Sequence, residues 1–487
     1  MFTPPFNLLF FFMITTPIVG LIELKIQFRK LCGTYVAVGF ASSLLLLYKT
    51  FTQISSATNP LSFYGSPLEA YLKIDSLSMF MAFTAVSLAF LINVYSLKYM
   101  ERDSGLPLYY TMLVAMVCGI LGVFFAGDLF TLFIFWELMC ISSYVLVSFR
   151  KHMWEPVEAG IKYLIMSSAG SATLLLGMSM LYGLTGTLNF EGFTSALSGV
   201  KPDGWIYLMS LLILAGFGVK AAIVPLHTWL PDAYSAAPSP ISAILSGIVT
   251  ETGIYALSRM FFTAFIPVQI EWSTILAFLS VITMTLGNVT ALFQNDLKRL
   301  LAYSSIAHIG YMLIGLSVGT QLALTGTILH IFNHALMKGA AFLCAGAIIY
   351  RLGARRLDEI TGIGRRMPIT ATALGISLLA LTGMPPLNGF VSELILFMST
   401  AQANVIWLGI ALVLNSILST GYCLRVISAI AKSSSSEGVK KAREAPLLLT
   451  LPICIMSALV VLFGVWPDPV LELARRASLA LLSIVRG

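Results

Sequence analysis

Ionisable residues lie inside long apolar stretches of this sequence, and they carry the chemistry that needs an explanation. Lys220 follows the uncharged run 205–219, although a lysine inside a bilayer costs ~2.5–3.5 kcal/mol even on a lenient insertion scale. Four prolines that would interrupt a helix follow it: Pro225, Pro231, Pro238 and Pro240. His227, Trp229 and Asp232 lie beside this break. A buried cation next to interrupted helical backbone is typical of an ion pathway.

Other ionisable residues fall at a similar depth in different stretches. Glu137 lies nine residues after Asp128 and thirteen before Arg150, about 13 and 20 Å along a helix and so near the middle of a ~30 Å hydrocarbon core. The same counting places further groups at this depth: Lys220, Glu251, His308, His330, His334, Lys338 and Glu393. A single buried glutamate or histidine is often a hydrogen-bonded packing residue. The coincidence of depth across six predicted helices favours a functional interpretation.

Three of these residues repeat at helical spacing. His330, His334 and Lys338 stand at i, i+4 and i+8 and therefore share one helix face. Two histidines at this spacing could ligate a haem or a metal, but a bis-histidine haem needs partners on a facing helix. A polar relay is the favoured hypothesis, since neutral histidines pass protons near physiological pH.

The composition sets the fold class. The chain has 487 residues, 58% hydrophobic and 10% charged, with a mean hydropathy of +0.90, whereas soluble domains carry about 25% charged residues. Apolar runs of ~20 residues recur throughout, which predicts an all-α polytopic membrane protein. We predict about fourteen transmembrane helices: 5–24, 31–52, 76–97, 108–126, 129–149, 157–184, 205–230 (broken), 239–262, 272–293, 300–317, 321–350, 369–400 (broken), 404–430 and 447–467.

Neither the cysteines nor any other motif indicates a cofactor. The six cysteines are scattered, without a CxxC pair, and most fall inside apolar runs, so we interpret them as buried, inert thiols. We expect no cofactor and no metal, and any redox chemistry would belong to partner subunits.

The distribution of basic residues predicts the topology. Lysines and arginines concentrate in the odd-numbered loops between predicted spans, whereas the even-numbered loops hold almost only Lys73 and Lys201. Odd loops should therefore be cytoplasmic and both termini outside, in the cell (inner or plasma) membrane. Residues 1–24 lack a basic segment and a cleavage site, which predicts a first span and not a signal peptide.

A second interrupted stretch suggests an internal repeat. ALTGMPPLNGFVSELILF breaks at two prolines and carries Glu393. Equivalent breaks predict two five-helix repeats inserted in opposite orientations. The predicted units are 1–107 (helices 1–3), 108–265 (first repeat), 266–430 (inverted second repeat), and 431–487 (a cytoplasmic loop, helix 14 and a short amphipathic tail).

The stretch from Lys220 through VPLHTWLPDAYSAAPSPISA resembles the signature of the proton-conducting antiporter-like membrane subunits. These are the L, M and N subunits of complex I, the A-type and D-type proteins of Mrp sodium/proton antiporters, and their relatives in membrane-bound hydrogenases. The short tail argues for the M or N type of complex I or the D type of Mrp. Size and motifs are closest to the M type of complex I or the D type of Mrp.

The resemblance implies roles for the buried residues. Glu137 (in FWE) and Lys220 (in GFGVK) match the coupled pair of the family, His330, His334 and Lys338 match its eleventh-helix relay, and Glu393 matches its exit residue. The chain departs from the pattern at Glu251, where the family usually has lysine. We therefore expect Glu251 to lie near Lys338 and to keep it charged.

The expected function is proton or cation translocation by a subunit of a larger complex, which would be complex I-like, hydrogenase-like or an Mrp antiporter. Its partners would be other membrane subunits, including related antiporter-like ones, the lipid bilayer, and protons or sodium, without nucleic acid. The alternatives are a standalone secondary transporter of a small solute and a structural scaffold with degenerate charges.

Overall fold

The computed structural model describes residues 4–26, 30–56, 61–65, 70–266, 272–433 and 437–486. Its α-helices are α1 Pro4–Ile26, α2 Leu31–Ser56, α3 Ser76–Tyr99, α4 Leu106–Phe125, α5 Leu129–Val147, α6 Trp154–Thr185, α7 Phe190–Leu197, α8 Gly204–Lys220, α9 Trp229–Ala236, α10 Ser239–Ile244, α11 Glu251–Met260, α12 Trp272–Leu292, α13 Leu297–Val318, α14 Gln321–Leu352, α15 Pro368–Leu381, α16 Asn388–Gln402, α17 Ile406–Ala431, α18 Glu437–Lys441, α19 Leu447–Val465 and α20 Asp468–Arg486. The remaining elements are a two-stranded sheet (β1 Leu61–Gly65, β2 Ala70–Ile74), two π-helical segments (Leu245–Val249 and Phe261–Phe265) and a 3₁₀ turn (Ile363–Arg365).

Twelve helical stretches among the described residues are long and apolar enough to cross a membrane, with Ser239–Phe265 (α10, α11 and the π-helical segments) counted as one. The predicted all-α, multi-pass membrane fold is therefore confirmed. Two further predicted spans are interrupted, one as α8 and α9 and the other as α15 and α16. Each contains one short apolar helix, α8 or α15. The total of fourteen spans depends on counting these two and stays a prediction.

Both interruptions lie where the prolines predicted them. The first separates Lys220, the last residue of α8, from Trp229, the first of α9. The second separates Leu381 from Asn388 and contains Gly383 at φ +68°, a left-handed conformation that favours glycine. The inverted relation of the two halves stays a prediction.

Irregular elements appear that the sequence did not predict. β1 and β2 form an antiparallel hairpin with Leu61 opposite Ile74. Two π-helical segments, Leu245–Val249 and Phe261–Phe265, flank α11. π-helical turns are rare and often lie at functional sites. Their position beside Glu251 therefore makes that residue a candidate for a functional role.

The centre of the bundle is the unit α10–α11 with its π segments, together with α14. The stretch Ser239–Phe265 is buried over its whole apolar window, whereas only 28% and 33% of the windows of α1 and α17 are buried. Charged residues on the central helices are therefore shielded by surrounding protein, and the outer helices present apolar surface to the membrane.

The tail after α19 forms an amphipathic helix, as predicted. α20 packs against α3 and α14 through apolar residues that include Val470, Ala474 and Leu481. The hydroxyl groups of Ser478 and Thr325 on α14 lie 2.9 Å apart. In the predicted linker 431–446, residues 437–441 form α18, whereas residues 434–436 lie outside the described structure.

Candidate functional site

The position of Lys220 depends on the close packing of α8 against α6. A Cβ added at Gly216 would lie 2.6 Å from Leu174 Cβ and 3.0 Å from the Gly170 carbonyl oxygen. Only glycine permits this approach of the two helices. One turn later, the Lys220 side chain is 1% exposed and points at α6.

Lys220 is bound by a phenol and a thiol. Its Nζ donates to Tyr163 Oη at 2.5 Å and to Cys140 Sγ at 3.3 Å, and lies 4.9 Å from the centre of the Tyr163 ring. Trp229 stacks on that ring at 4.0 Å and donates from Nε1 to the Val219 carbonyl at 2.8 Å. The residue that opens α9 after the break therefore fixes the aromatic partner of the lysine.

Glu137 lies one turn from Cys140 on α5 but does not contact Lys220. Among the described residues, its carboxylate accepts a hydrogen bond from Ser171 Oγ at 2.5 Å, and no Glu137–Lys220 pair lies within 4.0 Å. Ser167, one turn before Ser171, points its hydroxyl at Cys140 Sγ at 3.7 Å. Tyr163, Ser167 and Ser171, at i, i+4 and i+8 of α6, thus face both members of the predicted pair. We call these three residues the α6 ladder.

Glu251 is fully buried and contacts a histidine. Its Oε1 lies 2.7 Å from His334 Nδ1, both side chains being 0% exposed, although the two groups are not aligned as a hydrogen bond. Its Oε2 accepts from Thr250 Oγ1 at 3.0 Å. The side chain that contacts this carboxylate is therefore His334, not Lys338.

Lys338 lies one turn beyond His334 and has other direct partners. Its Nζ donates to the Leu301 carbonyl at 2.9 Å and to Ser304 Oγ at 2.5 Å. Glu251 and Lys338 interact electrostatically without touching. Glu251 thus lies near Lys338 without touching it, because the helix pitch gives the nearer position to His334. That Glu251 keeps Lys338 charged stays a prediction.

The histidines of α13 and α14 form a compact group. His308 Nδ1 and His330 Nε2 are 3.0 Å apart, and His330 Nδ1 is 2.9 Å from Ser392 Oγ on α16. The rings of His308 and His334 have centroids 5.1 Å apart, and the Nε2 atoms of both lack a partner among the described residues. Within the same part of the chain, no group of three His, Cys, Asp or Glu side chains is arranged to hold a metal.

Glu393 abuts the second break. Its Oε2 accepts from Ser416 Oγ at 2.7 Å, and a Cβ at Gly383 would lie 2.5 Å from the same oxygen. The carboxylate therefore fills the space that glycine leaves. Ser392, its neighbour in α16, contacts His330, so the helix after the break reaches both the carboxylate and the histidine group.

The residues that contact Lys220 lie next to the helix that carries Glu251. Thr252 Oγ1 on α11 lies 3.5 Å from Met139 Sδ on α5, and Met139 precedes Cys140. α11 also packs against α8. The structure thus brings together residues of α5, α6, α8, α11, α13, α14 and α16 in one buried polar region.

Three charged residues that do not contact Lys220 or Glu251 have partners of their own. Asp232 is not beside Lys220 but binds Lys162 at 3.0 Å and Arg299 at 2.6 Å near the end of the bundle. Lys298, predicted in a loop, is buried in the first turn of α13 and donates to the Ala237 carbonyl. Arg259, inside the predicted span 239–262, is buried in a salt bridge with Asp75 at 2.7 Å.

Loop charges outside the spans form conventional pairs. Arg150 binds Asp103 through two nitrogens, at 2.9 and 3.0 Å. Burial opposes ionisation of Glu101, but its hydrogen bonds with Lys98 and Tyr350 hold the pKa of that carboxyl below its usual value. These pairs tie neighbouring loops together.

Sequence reasoning missed the direct partners of the charged groups. The sequence does not predict Tyr163, Cys140 or Ser171 as partners of the charged side chains, and it predicts that Cys140 is an inert thiol. The polar spacing at positions 163, 167 and 171 is visible in the sequence, but an apolar helix with a few hydroxyls is common in membranes. Their role becomes apparent only when α5, α6 and α8 are placed together.

The fold and this buried region define a class of multi-pass membrane protein with ionisable residues along its interior. The family model described as "NADH:quinone oxidoreductase/Mrp antiporter, TM" matches residues 126–419. A second, "NADH-Ubiquinone oxidoreductase (complex I), chain 5 N-terminus", matches residues 61–110. The chain belongs to this NADH:quinone oxidoreductase/Mrp antiporter family, which confirms the resemblance found in the sequence.

Relatives match over nearly the whole chain. F(420)H(2) dehydrogenase subunit N of Methanosarcina mazei is 32% identical over 93% of this chain and 94% of its own length. NADH-quinone oxidoreductase subunit N of Chlorobium chlorochromatii is 31% identical over 98% of this chain and 94% of its own. These relatives are named subunit N, and the narrower resemblance to the M type of complex I or the D type of Mrp stays a prediction.

Solved structures share the fold. A chain of the membrane-bound sulfane sulfur reductase, an archaeal respiratory membrane complex, superposes with a TM-score of 0.91 at 26% identity, covering 99% of this chain and 98% of that chain. A chain of the Mrp complex from Dietzia sp. DQ12-45-1b gives a TM-score of 0.86 at 23% identity, covering 99% and 98%. The latter likeness concerns the fold alone.

Proposed function

We propose that this protein is an ion-translocating subunit of a multisubunit respiratory membrane complex, and that the ion is the proton. The observation that carries the proposal is the fully buried contact of Glu251 with His334 beside the His308–His330–Ser392 group. Ionisable groups are costly inside a membrane protein and mark ion pathways. The curated relatives are named as subunits of F420H2 and NADH-quinone oxidoreductases, which supports a redox-driven parent complex.

The first half of the path consists of Glu137, the α6 ladder and Lys220. Lys220 donates hydrogen bonds to Tyr163 and Cys140, and Glu137 accepts one from the hydroxyl of Ser171. A change in the charge of Glu137 alters the potential at Lys220 and therefore its tendency to keep a proton. We expect the two groups to act as one unit in translocation even though they do not touch.

The second half begins at Glu251. A carboxylate and an imidazole 2.7 Å apart can exchange a proton with little movement. The unpartnered Nε2 atoms of His334 and His308 are groups that a water molecule can bridge. From His308 the proton reaches His330 and Ser392, which lies beside Glu393. Lys338, one turn from His334, supplies a positive charge next to the histidines. This charge is either permanent or is lost and regained as Lys338 releases and binds a proton.

The proposal is tested by removing the charged side chains of Glu137 and Lys220, which stand at the two ends of the first half of the proposed path. Glu137→Ala and Lys220→Ala should each abolish proton uptake into vesicles that carry the assembled complex. The double variant should be no worse than either single one, because residues that act as a unit are not additive. Glu437→Gln, which changes a side chain 81% exposed on α18, is the matched control and should transport normally.

Assembly has to be measured in the same membranes, by native gel and immunoblot, because a misfolded subunit gives the same loss. A well-assembled Lys220→Ala complex that transports protons at a near-normal rate would contradict the proposal.

A further inference from the structure

A cavity of about 530 Å³ lies between α2, α3, α14, α19 and α20. Its inner wall is aromatic, with Phe80 and Phe332 at 5.8 Å and Phe332 and Phe463 at 5.4 Å between ring centroids. The buried ionisable groups of the proposed path do not line it. Such a space suits a hydrocarbon chain better than it suits water or an ion.

The cavity lies at the level where membrane helices end. α19 ends at Val465 and α20 begins at Asp468, and the lining residues of α3 belong to its first turns. Phe83 and Leu479, which also line the cavity, are 46% and 43% exposed. The cavity therefore opens on the side of the bundle that faces the bilayer near its interface.

A guanidinium lines the same cavity. Arg476 on α20 is half-exposed and donates from Nε to Glu472 at 3.0 Å, and its terminal nitrogens make no hydrogen bond with the described residues. Arg475, its neighbour, instead uses both Nε and Nη2 on Glu472. Arg476 thus keeps a planar pair of donors of the kind that binds phosphate with two hydrogen bonds.

We infer that the cavity holds a hydrocarbon chain of a membrane phospholipid whose phosphate binds Arg476. The apolar wall takes the chain, and the guanidinium, placed where the spans end, takes the headgroup. The bound lipid joins α20 to α2, α3 and α19 and completes the packing of the tail helix. This inference is independent of the proton path.

The test compares lipid retention by the purified complex and four variants. The complex is incubated with dioleoylphosphatidylglycerol in detergent, and retained lipid is measured by native mass spectrometry. Arg476→Gln removes the donors to the phosphate, and Leu473→Trp fills the cavity from α20. Arg475→Gln is the matched control, because Arg475 shares Glu472 as a partner but does not line the cavity.

Wild-type complex and Arg475→Gln should retain the phospholipid. Arg476→Gln should bind it about tenfold more weakly, as expected when a charge-assisted hydrogen bond is lost, and Leu473→Trp should not retain it. Arg476→Lys keeps a positive charge and should restore part of the retention, which separates headgroup binding from misfolding. Unchanged retention in Leu473→Trp, equal loss in Arg475→Gln, or a helix of another protein cross-linked into the cavity would overturn the inference.

Discussion

At the scale of single residues, the two groups of the predicted pair are coupled through intermediaries. Lys220 contacts Tyr163 and Cys140, whereas Glu137 contacts Ser171. Fixed hydroxyls in a region of low dielectric transmit a change of charge more strongly than they would in water. In the proposed path, the α6 ladder therefore belongs to the translocation mechanism as well as to the packing.

Ser171 provides the sharpest test of that idea. Ser171→Ala removes a hydrogen bond to a carboxylate, worth ~1.5–3 kcal/mol when the acceptor is charged, and should slow proton uptake by roughly tenfold or more. Ser171→Thr keeps the hydroxyl and should restore most of the rate. The measurement is the initial rate of vesicle acidification per assembled complex.

Thr173→Ala serves as the control for Ser171, because Thr173 lies on the same helix but donates only to the Ala169 carbonyl. Equal rates for Ser171→Ala and wild type would exclude the α6 ladder from the path.

Glu251 stands where the resemblance found in the sequence leads us to expect a lysine, and its charge should matter. Glu251→Lys would place a cation against His334 and close to Lys338, so repulsion should stop transport. Glu251→Gln keeps the size and the contact with Thr250 but cannot carry a proton, and it should also be inactive. Full transport by Glu251→Lys, measured as proton uptake in assembled complex, would refute the proposed role of the carboxylate.

The residues with charge were predictable from sequence, but their partners were not. A lysine or glutamate in an uncharged run stands out because its burial is costly, which identified Glu137, Lys220 and Glu251. The thiol of Cys140 and the hydroxyl of Ser171 cost little to bury and leave no such mark. Lys298 is predicted in a loop for a related reason. The sequence does not distinguish a cation in the first turn of a helix from one at the end of the preceding loop.

At the scale of elements, proline breaks were visible and π segments were not. A proline removes a backbone donor, so the interruptions after Lys220 and Leu381 followed directly from the sequence. The segment Leu245–Val249 contains no proline, and its π-helical turn depends on how α10 and α11 pack between α3, α13 and α14. The hairpin β1–β2 was missed because its strands are only five residues each.

The crossing of α8 over α6 is predicted to set the position of Lys220. Gly216→Ala would place a Cβ 2.6 Å from Leu174 Cβ, and such overpacking costs ~1–3 kcal/mol. The expected results are a lower melting temperature of the complex and slower proton uptake, since Lys220 moves away from Tyr163.

The matched control for Gly216 is Gly183→Ala on α6, where an added Cβ would meet nothing within 4 Å. That variant should be neutral or slightly stabilising, because alanine is the better helix former. If both variants melted and transported alike, the close crossing would not be what holds the lysine in place.

At the scale of the whole molecule, contacts between loops follow the alternation that the basic residues predict. Glu444 in the predicted thirteenth loop accepts hydrogen bonds from the Ile369 backbone and from Thr370 Oγ1, at the start of α15. On the other side, Lys73 after the second span binds Glu191 after the sixth at 2.8 Å. In these two cases an odd loop meets an odd loop and an even loop meets an even loop, as the predicted alternation of spans leads us to expect.

The orientation of these two sides is a prediction that labelling tests. Basic loops stay on the cytoplasmic side of a membrane, so Lys440 on α18 should face the cytoplasm and Lys201 before α8 should face outside; both are exposed. In right-side-out vesicles, a membrane-impermeant maleimide should label Lys201→Cys rapidly and Lys440→Cys only after permeabilisation. The background should carry Cys454→Ala, because Cys454 is the exposed native thiol among the described cysteines. Rapid labelling of Lys440→Cys in sealed vesicles would invert the topology, and with it the side from which protons enter the path.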